Sequence, residues 1–89
     1  MLLFLQGATV IRALLVDDEE PARERLRRLL AEVPDVEVVG EAPDGEQAIA
    51  QVVACTPDLV FLDIQMPGAT GLEIAASLPS PRPYIIFCT

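Results

Sequence analysis

Histidine and lysine are both absent from these 89 residues, and all six basic side chains are Arg. Without imidazole there is no His metal site, no Ser-His-Asp triad and no His phosphocarrier. Carboxylates and hydroxyls are left to carry any chemistry. Fourteen acids against six Arg give a net charge of −8, which repels nucleic acid and anionic lipid, so direct DNA contact by this segment is not expected. Cysteine is sparse: Cys55 and Cys88 stand alone in apolar surroundings with no C-x-x-C spacing, as reduced core residues of a cytoplasmic protein would. No apolar run approaches the ~20 residues of a membrane span. Leu2 to Leu5 is shorter than the roughly 7–15 residues of a signal-peptide core and lacks a basic flank.

What is present is one small domain's worth of chain, which buries only about 60–65 % of the surface its unfolded form exposes. A hydrophobic fraction of 52 % is high for that size and points to a sheet that needs more cover. Apolar runs alternate with helical patterns. Ile11 to Val16 reads as a strand, followed by Asp17-Asp18-Glu19-Glu20-Pro21, acids and a Pro suited to a helix first turn. Ala22, Leu26, Leu29, Leu30 and Val33 then fall on one helical face and are expected to be buried, with Arg23, Glu24, Arg25, Arg27 and Arg28 on the wet side. Val36 to Glu41 reads as a strand. Asp44 with Gln47 resembles a capping box opening a helix through Ala48, Ile49, Val52 and Val53. Asp58 to Leu62 is a buried strand ending in Asp63. Thr70 with Glu73 caps a third helix reaching about Leu78, the Pro-rich stretch Pro79 to Pro83 is a linker, and Tyr84 to Cys88 is a β-type run ending at Thr89.

The order β-α-β-α-β-α-β with near-continuously apolar strands predicts an α/β, doubly wound parallel sheet with helices on both faces. In such sheets the carboxyl ends of the strands form the ligand crevice. Three apolar runs end there in oxygen-bearing side chains: Asp17-Asp18, Asp63 and Thr89. Gathered together, Asp17, Asp18 and Asp63 would repel one another, a cost that a divalent cation removes, and hard oxygen ligands suit Mg²⁺ better than zinc. The plainer reading is that Asp17 and Asp18 only cap a helix while Asp63 opens a turn.

Residues 11–89 resemble the first four β-units of a response-regulator receiver domain. The acidic pair Asp17-Asp18 and the run Asp63-Ile64-Gln65-Met66-Pro67-Gly68-Ala69-Thr70-Gly71, a full D-x-x-M-P-x-x-x-G, carry the resemblance. Val16-Asp17-Asp18-Glu19 and the Arg-rich first helix look most like receivers that precede LytTR-type DNA-binding domains. The resemblance implies a flavodoxin-like fold with sheet order 2-1-3-4, incomplete relative to the family. It implies a phosphoacceptor signalling domain and not an enzyme, with Asp63 accepting a phosphoryl group from a sensor histidine kinase or a small phosphodonor. Asp18, Asp63 and the Gln65 carbonyl would hold Mg²⁺, Asp17 would act through water, and Thr89 would be the phosphoryl-sensing hydroxyl.

A complete receiver continues past the position of Thr89 with a fourth helix, a fifth strand bearing a Lys and a fifth helix. Against that pattern the chain reads as truncated, with impaired phosphorylation and an exposed fourth strand prone to self-association. Residues 1–10 precede the usual start as an extension, either a loose tail or a segment able to pair with that strand. Two other readings compete: a phosphorylation-incompetent docking module, and a haloacid-dehalogenase-like phosphatase. The latter wants a D-x-D pair and a Lys, neither of which is present.

Overall fold

The computed structural model describes residues 10–88. Residues 1–9 of the extension, with Leu2 to Leu5, and Thr89 lie outside them. The elements are β1 (Ile11–Val16), α1 (Glu20–Leu30), β2 (Val36–Ala42), α2 (Gly45–Cys55), β3 (Leu59–Asp63), β4 (Gln65–Met66), β5 (Ala69–Thr70), α3 (Gly71–Ser77) and β6 (Tyr84–Cys88). Four strands form a parallel sheet in the order β2-β1-β3-β6, as the alternating pattern predicts. The short antiparallel hairpin β4-β5 was not expected, since its residues read simply as a turn at Met66-Pro67.

Alternate residues of the central strands face opposite layers. Leu14, Val16, Val60 and Leu62 pack with Ala48 and Val52 of α2 and Ile74 of α3, and this side is the core. Leu15 and Phe61 face α1 across a groove of about 220 Å³ that is also lined by Ala22, Leu26, Leu29 and Cys88. Because α1 rests over this groove, the expected burial of its apolar face is only partly met. Leu30 is buried and Ala22 and Leu26 half-buried, but Leu29 is 63 % exposed. Val33 is exposed as well, because α1 stops at Leu30 and the residues before Pro34 form turns. In α2, Val53 likewise points to solvent while Ala48 and Val52 carry the packing. Arg23, expected on the wet side, is instead folded in, with its side chain 14 % exposed. Cys55 and Cys88 are free thiols, half-buried and not in the core.

Of the two capping boxes the sequence suggests, that of α3 forms in full and that of α2 by its Asp44 arm, while α1 starts at Glu19 with no side-chain cap. Asp44 accepts a hydrogen bond from the Gln47 amide at 2.8 Å, and Thr70 and Glu73 form a reciprocal capping box. The last turn of α2 has no basic residue of its own. Arg12 of β1 supplies one, donating to the carbonyls of Cys55 and Thr56 at 2.6 and 2.9 Å, where cations suit a helix C-terminus.

Candidate functional site

Register decides which side chains meet at the carboxyl edge of the sheet. Val16 of β1 pairs with Leu62 of β3, so Asp17 and Asp63, the next residues along, lie side by side. Asp63 pairs in turn with Cys88 of β6. The two-residue period puts Asp17, Asp63 and Cys88 on the face already holding Leu15 and Phe61. Carboxylate oxygens of Asp17, Asp18 and Asp63 all lie within 4.8 Å of one another, bringing together the three acids that the sequence singles out. Asp17 and Asp63 are half-buried and Asp18 is exposed, so the cluster opens to solvent.

Each of the two strand-end acids also fixes its own turn. Oδ1 of Asp17 accepts from the Glu19 amide at 2.9 Å, and Oδ1 of Asp63 accepts from the Gln65 amide at 3.1 Å. Gln65 is therefore tied to the Asp63 carboxylate through its main chain, while its side chain is exposed. Burial pushes the Asp17 carboxyl above its ordinary range. The Glu19 amide works against that push, and the charges of Asp63 and Asp18 and a shared hydrogen bond with Asp18 add to it. The Cys88 thiol is also pushed up, by burial first and then by Asp17 and Asp63. Three hard oxygen donors whose crowding is relieved by positive charge fit Mg²⁺ by chemistry and by spacing.

Gly71 sets how closely α3 approaches this edge. A Cβ there would stand 2.5 Å from the Asp63 carbonyl oxygen and 2.9 Å from the Ile64 Cα, and the Gly71 amide donates to the Ile64 carbonyl at 2.8 Å. Only a residue without a side chain lets the helix start this near the acid. Three neighbours escaped the sequence reading. Cys88 joins the site through register, and Arg23 and Glu41 through a contact between α1 and β2. Nε of Arg23 binds Glu41 at 3.0 Å while its Nη1 donates to the Asp17 carbonyl at 2.7 Å, and Arg27 also pairs with Glu41. The Glu41 pattern was unreadable because nothing local marks a strand acid as the partner of a helix 18 residues away. Thr89, expected as the phosphoryl-sensing hydroxyl, lies outside the described residues.

Comparison with known proteins agrees with this geometry. A protein called transcriptional regulatory protein BtsR in Salmonella typhi is 52 % identical over 81 residues, which cover 90 % of this chain and 34 % of that protein. The Escherichia coli K12 protein of the same name is 49 % identical over the same length. The chain thus spans about a third of the length of these relatives. Among solved structures, the response regulator domain of Thermotoga maritima CheB is 35 % identical with a TM-score of 0.79, over 88 % of this chain and 59 % of that one. A LuxR-family two-component response regulator from Aurantimonas is 33 % identical with a TM-score of 0.83, over 89 % of this chain and 58 % of that one. The family model for the response regulator receiver domain matches residues 13–89, and the chain belongs to that family of two-component signalling domains.

Proposed function

We propose that this chain is a phosphoacceptor module in which Asp63 takes a phosphoryl group with Mg²⁺ bound beside it. The observation that carries the reading is the meeting of Asp17, Asp18 and Asp63 within 4.8 Å at the carboxyl edge of the sheet. Asp18, Asp63 and the Gln65 main-chain carbonyl are the ligands we assign to Mg²⁺, with Asp17 acting through water. The ion supplies neutralising charge for the phosphoryl oxygens as the group moves in line. A carboxylate oxygen of Asp63 attacks phosphorus, a P–O bond forms, and the bond to the donor breaks with its electron pair leaving on the donor. The Gln65 amide holds Asp63 Oδ1 and orients the carboxylate for that attack. Asp17 adds negative charge that draws the cation in. Thr89 is assigned as the hydroxyl that senses the product. A sensor histidine kinase or a small molecule such as acetyl phosphate is the donor, and the cytoplasm is the compartment where either is met; among the described residues no helix is long and apolar enough to cross a membrane. The similarity to transcriptional regulators supports a place ahead of an output domain, of LytTR type by the Arg-rich α1.

The test is labelling with acetyl phosphate and Mg²⁺. The parent chain is expected to form an acid-stable, hydroxylamine-sensitive acyl phosphate, and Asp63→Asn is expected to form none. Equal labelling of the two would overturn the acceptor assignment. A second reading, docking without phosphorylation, is favoured by the exposed apolar side chains Tyr84, Ile86 and Phe87 on β6. It predicts partner binding that Asp63→Asn and beryllofluoride leave unchanged.

A further inference from the structure

The turn that carries Asp17 and Asp18 is gripped from two sides. The Asp17 amide donates to the Ala42 carbonyl of β2 at 3.1 Å, and the Asp17 carbonyl accepts from Arg23 Nη1 of α1 at 2.7 Å. Together these bonds fix both peptide planes of Asp17, and with them the direction of its Cα–Cβ bond and the start of Asp18. Arg23 can do this only because its guanidinium is a rigid fork whose other arm is anchored: Nε rests on Glu41 Oε1 at 3.0 Å. Glu41 is further held by Arg27, so it does not follow Arg23 if that side chain moves. Without the anchor, a guanidinium next to three acids would be drawn onto the carboxylates themselves. There it would compete with a divalent cation instead of shaping its site.

We propose that Arg23, anchored by Glu41, is a positioning residue for the acidic pocket, aiming Asp17 and Asp18 at Asp63 through the Asp17 carbonyl. The proposal rests on the Mg²⁺-dependent phosphoacceptor reading above. It makes a prediction opposite in sign to simple electrostatics. Removing a cation beside an acidic cluster should tighten Mg²⁺ binding if charge alone counts. Removing a group that orients the ligands weakens binding, typically by about 10–100-fold for partners one shell out from a metal.

The experiment is Mg²⁺ titration of the whole chain, followed through the amide resonances of Asp17, Asp18 and Asp63. Arg23→Met is expected to weaken Mg²⁺ by about 10-fold. Arg23→Lys, which keeps the charge and loses the fork, is expected to bind as poorly as Arg23→Met. Leu30→Ala loosens the same helix at its far end and serves as the control for mere destabilisation, with parent affinity expected. Tighter binding by Arg23→Met, or full affinity in Arg23→Lys, overturns the proposal. A second readout does not depend on the metal. In Mg²⁺-free buffer the carbonyl and amide resonances of Asp17, Asp18 and Glu19 should move in Arg23→Met and stay put in Leu30→Ala. If the parent shows no saturable Mg²⁺ shift at Asp63, the phosphoacceptor reading fails, while the metal-free shifts still decide whether Arg23 sets the turn. Unmoved resonances in Arg23→Met reject the positioning role.

Discussion

Replacing Gly71 with Ala tests whether α3 is seated tightly against Asp63. The added methyl would stand 2.5 Å from the Asp63 carbonyl oxygen, where ordinary contact begins at 3.4 Å, so helix and strand end must part by about 0.9 Å. Both clashing atoms are main chain, so no side chain can swing away to relieve them. Overpacking of this kind costs about 1–3 kcal/mol. Stretching the Gly71 to Ile64 hydrogen bond adds about 0.5–1.5 kcal/mol, and the better helix propensity of Ala returns up to about 1 kcal/mol. The net loss lies within about 0.5–4.5 kcal/mol, with central values near 2 kcal/mol, a sizeable share of the roughly 5–15 kcal/mol that holds a domain together. The displacement also moves Asp63, and misplacement of about 1 Å can slow a reaction by about 10²-fold. Urea denaturation and the initial rate of acetyl phosphate labelling measure the two effects. Gly68 is the comparison: it has φ +92° and nothing within 4 Å, so Gly68→Ala should cost about 1–2 kcal/mol of backbone strain without slowing labelling. A Gly71→Ala chain as stable and as quickly labelled as the parent would refute the close-approach reasoning.

Thr56 ends α2 in the left-handed region at φ 42°, which strains a β-branched residue by about 1–2 kcal/mol. Thr56→Gly should therefore stabilise the chain by about 0.5–1 kcal/mol after the entropy of Gly is counted, and a lowered urea midpoint would count against it. Asp17 binds its proton more tightly folded than unfolded, so in chelator-treated buffer its contribution makes the fold more stable as pH falls from neutral through the raised value. Asp17→Asn should raise the melting temperature at pH 7 and flatten that dependence; equal slopes for the two chains would contradict the assignment. On the edge strand β6, Tyr84 is 83 %, Ile86 45 % and Phe87 39 % exposed. Light scattering across a concentration series should show these 89 residues associating through that edge, and a monodisperse monomer with rapidly exchanging β6 amides would exclude it.

Local chemistry makes much of this protein readable in its sequence alone. Runs such as Leu14 to Val16 and Val60 to Leu62 are apolar without alternation because both sheet faces are covered, and that composition marks parallel strands. Asp44 and Thr70 announced two helix starts because a cap is made by residues three apart in sequence. The acids at the strand ends were legible for the same reason: each follows directly on its own apolar run. Tertiary structure decided what depends on partners far along the chain. Which apolar residues of α1 are buried was settled by where the helix lies over Leu15 and Phe61, so Leu29, correct in period, still faces solvent. Arg23 reads as one more surface cation until Glu41, 18 residues away, comes into reach. Cys88 enters the site only through its register with Asp63. Periodicity and capping are properties of a few consecutive residues, whereas register and ion pairing are properties of the packed sheet, and no local pattern encodes them.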